Sequence, residues 1–486
     1  MLKKMTRIGV AAAMAISGLI AVAGVSSVAS ATTKATTTCY YYSATQKQVL
    51  SKVEKGATCT VGTYAVRANA LLGSNLSGDL TLDATYNGTL NINGSSFDAP
   101  LISTLTSGSN AYSGAGNVNF SGYPAAGSGT GRSGICGGSL DIGFSDQPMA
   151  VSAGTNVSGC NPANYVQVPF LLGGAVVGTN IPGVKGVKLT AAEVKAIYNG
   201  DITQWSDPTL LKTNNGGTAC GVDGSGSIAS PYVQTSGSSV GATATAGFVA
   251  CKGVALKLYS LAYKFPKGSV SNVANPSTDG DTIKVLYRNA SSGTTYAFTD
   301  YIKAATGSLP TGGNASGNPM ETNGWSAPHT VGVANNAAMA STLLTTPGGI
   351  GYVEYSYVLI PGNAAISVAL LQDQAGAFIK PSLTNIALAA SEAGSSITPE
   401  GFSIVWQHGK AWPLATYSWA IVPKQSIASN DSSDAAAVKF LDWAAHYGQS
   451  FAKGDGYVAL PAAAAAYVQA QLASATDSSG TTQLTK

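Results

Sequence analysis

The stretch from Leu286 to Ile302, LYRNASSGTTYAFTDYI, constrains this chain more than any other. A short apolar run (Ile283, Val285, Leu286, Tyr287) reads as a strand. The chain then turns through Arg288, Asn289, Ala290, Ser291, Ser292, Gly293 and Thr294, and Thr295 to Ile302 reads as the opening turns of a helix. A strand feeding a helix through a small-residue turn leaves the first helical N–H groups without internal partners. Together with the positive end of the helix dipole they form an anion site. Hydroxyls of Ser291, Ser292 and Thr294 add donors, and Arg288 adds a planar charged fork suited to an oxyanion. The plainer alternative is a Ser/Thr-capped helix with a solvated arginine, and spacing alone does not separate the two.

Other strand ends repeat the pattern. Thr89 to Asn93 alternates as a strand does and runs into the turn Gly94-Ser95-Ser96-Phe97. Val118 to Ser121 reads as a second strand, followed by Gly127-Ser128-Gly129-Thr130-Gly131. Leu140 to Phe144 reads as a third, ending on Ser145 and Asp146. Strands alternating with helical stretches indicate α/β layering, and in open α/β sheets ligands bind at the carboxyl ends of strands. Phe170 to Val177 is an apolar run expected of a strand buried on both faces. Thr190-Ala191-Ala192-Glu193 is a capping box for a short helix that Gly200 ends. Val333 to Leu344 and Asp434 to Tyr447 read as helices, Gly349 to Val353 as a strand.

The first 31 residues read as a secretory signal peptide: Lys3, Lys4 and Arg7, an apolar run from Ile8 to Val28, then Ala29-Ser30-Ala31. No cysteine follows that point directly, which disfavours a lipid anchor, so a periplasmic or extracellular location is expected. The leader holds three of the 26 basic residues and no acidic one, so the remainder balances 23 against 23. A chain with no net charge and 10% charged residues lacks the basic face that nucleic acid requires. An anion has to be held by local donors instead. The six cysteines (39, 59, 136, 160, 220, 251) suggest disulfides, with neighbour pairing 39–59, 136–160 and 220–251 expected. A metal centre is not expected: there is no CxxC, and His329, His408 and His446 are far apart. No cofactor is implied. Such a length exceeds one core and suits at least two lobes.

With these motifs in place the chain resembles the phosphate-binding protein of the bacterial high-affinity phosphate ABC transporter. The resemblance runs in order through INGSSFDAP (92–100), VNFSG and GSG (118–122, 127–129), DIGFSDQPM (141–149), VVGTNIPGVKG (176–186), IYNGDITQWSDP (197–208), YRNASSGTTYAFTDYI (287–302), GGIGYVEYSY (348–357), AWPLATYSWAIV (411–422), and VKFLDWAAHYGQ with GYVALP (438–449, 456–461). No single motif is specific; nine in order are. They cover roughly residues 88–465.

The resemblance implies an α/β, two-lobed periplasmic-binding-protein-like fold with the ligand in a cleft between lobes that close by a hinge motion. It implies one lobe from residues 88–168 and 412–486, and a second from 169–411 that carries a Gly/Ser-rich insertion at about 209–280. Residues 32–87 fall outside it as an accessory segment with no assigned role. Carried over by position, it implies phosphate ligands at Ser96, Phe97 (through its backbone N–H), Ser128, Asp146, Arg288, Ser292, Gly293 and Thr294. Inorganic phosphate and a membrane ABC permease are the implied partners, and a monomer is expected. Where the family places an acid two positions after the arginine to hold its guanidinium, this chain has Ala290.

Three other readings bear on function. Gly237-Ser238-Ser239-Val240-Gly241 matches the nucleophile elbow of hydrolases, with Asp300 and His329 downstream, but it lacks a convincing strand before it and sits in a low-complexity stretch. Trp205, Trp412, Trp419 and Trp443 could stack on a sugar, although aromatics more often pack cores, and Pro413-Leu414 fits a hinge crossing. A secreted surface protein that kept the fold and lost the ligand is the remaining alternative; intact Ser96, Ser128, Asp146, Arg288 and Thr294 speak against it.

Overall fold

A computed structural model describes residues 36–43, 48–55, 86, 88–107, 112, 118–149, 160–228, 247–264, 273–274, 280–311, 325–393 and 403–484. The leader, Cys59 and the Gly237 to Gly241 motif lie outside them.

The chain is α/β, as expected, and its two halves share one hydrogen-bonded path of strands. From edge to edge this path runs Thr330–Val333, Lys284–Arg288, Gly349–Glu354, Tyr165–Asn180, Ala415–Pro423, Ile142–Ser145 and Ile92–Gly94, with Ser367–Val368 added beside the long strand. Three parallel strands lie at one end and two at the other. The antiparallel pair Tyr165–Asn180 and Ala415–Pro423 joins them. The apolar run expected as a strand is therefore part of a 16-residue element, of which the middle 14 residues are buried. Its partner changes along its length. Tyr165 to Gly174 pair with the later strand, while Ala175 to Asn180 pair with Gly349–Glu354. The expected lobe boundary at 168/169 falls inside this strand. Pro413 and Leu414 sit where the pairing changes: Ala175 N–H donates to Leu414 O at 2.9 Å, and Ala415 is opposite Gly174.

The local elements follow from short-range chemistry. Thr190 and Glu193 close the expected capping box on the helix Ala191–Asn199, and Gly200 ends it in the left-handed region. Asn335, not Val333, begins the helix Asn336–Thr345, because its side chain accepts from Ala338 N–H; Val333 ends a strand instead. Asp434 lies inside the helix Asp431–Trp443, since its carboxylate accepts from Ser426 Oγ at 2.7 Å rather than capping. A π-helical turn, Ala444–Gly448, follows. Thr89 to Asn93 splits: Thr89–Leu90 pairs with Asn119–Phe120, and Ile92–Gly94 joins the main path. Part of the expected insertion is packed structure, with helices Pro208–Asn214 and Gly253–Ala262. Disulfides Cys136–Cys160 and Cys220–Cys251 match the expected pairing.

All four tryptophans named above are core residues. Trp205, Trp412 and Trp419 are at most 1% exposed, and Trp443 is 3% exposed, so none presents a face to a sugar. Trp412 Nε1 donates to Ala175 O at 2.7 Å and pins the crossover, and Trp205 Nε1 donates to Gly348 O at 3.0 Å.

Candidate functional site

Each of the five parallel-paired strands of the main path delivers a polar residue at its carboxyl end. Ile92–Gly94 leads to Ser95 through Asp98, and Ile142–Ser145 leads to Asp146. Across the molecule, Lys284–Arg288 ends on Arg288 itself, Thr330–Val333 leads to Ala334 and Asn336, and Gly349–Glu354 ends on Glu354. Two helices also open at this point. Ser128–Cys136 starts with Ser128, and Gly293–Thr306 starts at Gly293 with Ser292 as its cap, accepting from Thr295 N–H at 3.2 Å.

The halves meet through these side chains. Arg288 Nη1 donates to Ser96 Oγ at 3.3 Å. Asn336 donates to the same oxygen through its backbone N–H at 3.2 Å and its Nδ2 at 3.1 Å. Asn336 Nδ2 also reaches Thr294 Oγ1 at 3.3 Å. Ser128 Oγ accepts from Gly293 N–H at 3.0 Å and from Asp146 N–H at 3.2 Å. Approach is close here: a Cβ placed on Gly293 would lie 2.5 Å from both Ser128 Oγ and Asp146 Cβ, and 2.6 Å from Asp146 Oδ2. Asp146 Oδ2 is therefore turned towards the Gly293 loop. Gly127, at φ 113°, meets Ser291 O in the same way, at 2.4 Å.

Of the eight residues expected as ligands, Ser96, Ser128, Asp146, Arg288, Gly293 and Thr294 are linked by these bonds and Ser292 caps the helix beside them, each buried. Phe97 is present, but its backbone N–H donates to Ser95 Oγ at 3.0 Å in a tight serine turn, which occupies the donor expected to face a ligand. Arg288 is 1% exposed. The task left open by Ala290 falls to the backbone: Arg288 Nε donates to Ala334 O at 3.1 Å. Its Nη2 is buried with no protein partner. Burial lowers the guanidinium below its ordinary range, while Tyr352, Asp146 and Tyr357 favour its charge.

Sequence reasoning missed a supporting layer. Tyr352 OH accepts from Arg288 N–H at 3.1 Å and lies 2.8 Å from Thr295 Oγ1. Tyr357 OH donates to Ser96 O at 2.9 Å. Asn336, Asp98 and Ser418 also belong to the cluster. Asn336 sat at a helix start, and Tyr352, Glu354 and Tyr357 sat inside the GGIGYVEYSY motif, which was the available signal.

Glu354 is fully buried and accepts from Ser356 N–H at 2.8 Å. Desolvation, the leading cause, pushes its carboxyl up to about 8. Its folded-state pKa thus exceeds the ordinary carboxylate value, so its contribution to stability is complete at acid pH and is lost as pH rises through about 8. Between pH 6.5 and pH 8.5 the melting temperature is expected to fall, and Glu354→Gln is expected to flatten that slope. An unchanged slope in the variant would show that Glu354 is ionised throughout.

The comparisons agree with this geometry. The model of the PBP superfamily domain matches residues 81–446. A phosphate-binding protein PstS of Xylella fastidiosa is 27% identical over 375 residues, 76% of this chain and 80% of that one. The PstS of Haemophilus influenzae is 26% identical over 353 residues, 72% and 83% of the two chains. A high-affinity periplasmic phosphate-binding protein solved with bound phosphate superposes with a TM-score of 0.50 at 17% identity, covering 79% of this chain and 93% of the other. Strand ends that converge from two halves of an α/β chain, and a family model spanning most of its length, establish that this chain belongs to the PBP superfamily and has its two-lobed fold.

Proposed function

We propose that this chain is an exported solute-binding protein that captures inorganic phosphate and delivers it to an ABC-type permease, and that it is not itself an enzyme. The ligand set of this reading is Ser96, Ser128, Arg288, Ser292, Gly293 and Thr294 as donors and Asp146 as acceptor, with Phe97 contributing only if its N–H leaves Ser95. The lobes are residues 88–168 with 412–486, and 169–411. The observation that carries the reading is the composition of the cluster, in which neutral hydroxyls, helix N–H groups and one guanidinium gather beside Asp146.

The aspartate decides between anions. Phosphate near neutral pH keeps a proton and can donate it to a carboxylate. Sulfate keeps none, so the two acceptors would face each other desolvated and repelling, at a cost of about 1–3 kcal/mol or more. A PBP superfamily match and relatives named for phosphate binding support the same ligand. The leader pattern in residues 1–31 and the disulfides support export. Delivery to a permease is tested by uptake of radiolabelled phosphate at low external concentration, in cells with and without the gene. Slower uptake in its absence, restored by wild type but not by Asp146→Ala, is the expected result. Equal uptake in all three strains would remove the transport role.

A further inference from the structure

Asp98 is absent from the ligand set, yet it is as deeply buried as any residue in it. It precedes the helix Ala99–Thr106 in the capping position, but its side chain caps nothing. An aspartate there ordinarily accepts from the first helical N–H groups. This one turns inward. Its Oδ2 lies 2.8 Å from Ser418 Oγ, and Ser418 Oγ lies 2.9 Å from Asp146 Oδ1. Asp98, Ser418 and Asp146 are 0%, 0% and 2% exposed.

A hydroxyl has one proton, so Ser418 can donate to only one of the two carboxyl groups. Two ionised carboxylates on one buried hydroxyl would leave an acceptor against a lone pair and two like charges with no water between them. The three oxygens are satisfied only if a second proton resides on a carboxyl group. Asp146 faces the Arg288 guanidinium, which feels its charge. Among the described residues, no cation bears on Asp98. The groups around it are Asp146, Glu354, Tyr123, Tyr357 and Tyr457, all acidic or neutral, and its Oδ1 has no partner.

We propose that Asp98 is a positioning residue of the anion site: it keeps its proton, donates it to Ser418 Oγ, and so turns the Ser418 hydroxyl onto Asp146 Oδ1, fixing Asp146 as an ionised acceptor with Oδ2 presented to the ligand. Burial and the Asp146 charge both favour the protonated acid at Asp98. This inference rests on the phosphate reading for its consequence but not for its chemistry. The relay holds in the ligand-free protein, and it adds specificity because Asp146 can neither rotate away nor take the proton that would let it accommodate sulfate.

The proton is observed directly by infrared spectroscopy of the ligand-free protein at pH 7. A buried protonated-carboxyl C=O stretch should be present in wild type and in Glu354→Gln, and lost in the double variant Asp98→Asn/Glu354→Gln. If Glu354→Gln alone removes every such band, Asp98 is ionised and the proposal fails, whatever the protein binds. The consequence is read by titration with phosphate from pH 6 to pH 9.5. The amide introduced by Asp98→Asn keeps a donor towards Ser418, so affinity at pH 7 should stay within about threefold of wild type, while Asp98→Ala and Ser418→Ala should each lose about tenfold to a hundredfold, as expected when a hydrogen bond to a charged group is removed. Asp98→Asn has no such proton to lose, so any alkaline weakening of wild type that stems from Asp98 should be absent from it. A tenfold loss in Asp98→Asn at pH 7, or an alkaline fall equal to that of wild type, would overturn the proposal. Absence of phosphate binding by wild type would overturn the functional reading and leave the infrared result standing.

Discussion

Gly293→Ala is expected to weaken phosphate binding at least about a hundredfold, or about 2.7 kcal/mol, while leaving the melting temperature nearly unchanged. Gly293 is the first residue of the helix Gly293–Thr306, where alanine is conformationally acceptable, so the effect is not one of backbone strain. The added Cβ would sit 2.5 Å from Ser128 Oγ and from Asp146 Cβ, distances that real Cβ contacts do not reach. Ser128 and Asp146 belong to one half of the molecule and Gly293 to the other. The strain is therefore relieved by parting the halves, which breaks the Gly293 N–H to Ser128 Oγ bond and pulls the helix N-terminus from the site. Calorimetry with phosphate reads the affinity, and small-angle scattering reads the parting as a larger radius of gyration at saturating phosphate. Wild-type affinity in Gly293→Ala would mean that the two halves need not meet at this point.

Arg288→Lys is the second large effect. Charge is retained, so a site that needed only a cation would lose little. The guanidinium does more: Nε is held by Ala334 O, Nη1 reaches Ser96 Oγ, and Nη2 remains for a further acceptor. An ammonium on a flexible stem cannot make these three directional contacts together. A charge-assisted bond is worth about 1.5–3 kcal/mol, so affinity should drop about tenfold to a hundredfold. Ala334 uses its carbonyl, so Ala334→Gly should leave binding close to wild type. Equal affinity in Arg288→Lys would mean that the guanidinium is structural.

Much of the site was legible because its chemistry is local. A strand, a small-residue turn and a hydroxyl at a helix start occupy a few consecutive residues, so Ser96, Ser128, Asp146, Arg288 and the Ser292 to Thr294 turn could be read from the chain and carried over from a family pattern. Asn336, Ser418 and Asp98 were hidden because their role depends on partners at long sequence separation. Asp98 and Ser418 are 320 residues apart, and Asn336 and Ser96 are 240 apart. Asp98 stands at a helix start, and only the inward turn of its side chain distinguishes it from an ordinary cap. For Phe97 the expected donor already has a partner: Ser95 sits two positions earlier, and its hydroxyl accepts from the Phe97 N–H. Ala290 pointed to a missing carboxylate, and the backbone of Ala334, 46 positions from Arg288, fills that place. The joined sheet was not legible either. Periodicity finds the buried strand but not which neighbours it pairs with along its 16 residues.

The central claim is that this cluster selects an oxyanion that still carries a proton. Titration calorimetry tests it most directly, on residues 32–486 unfolded and refolded to remove any bound ligand, with phosphate and sulfate injected separately into wild type and Asp146→Asn. The account predicts tight binding of phosphate and no heat with sulfate for wild type. For Asp146→Asn it predicts weaker phosphate binding and measurable sulfate binding, because the asparagine amide can donate where the carboxylate could only accept. Sulfate bound by wild type as well as phosphate, or no phosphate heat from correctly refolded protein, would contradict it.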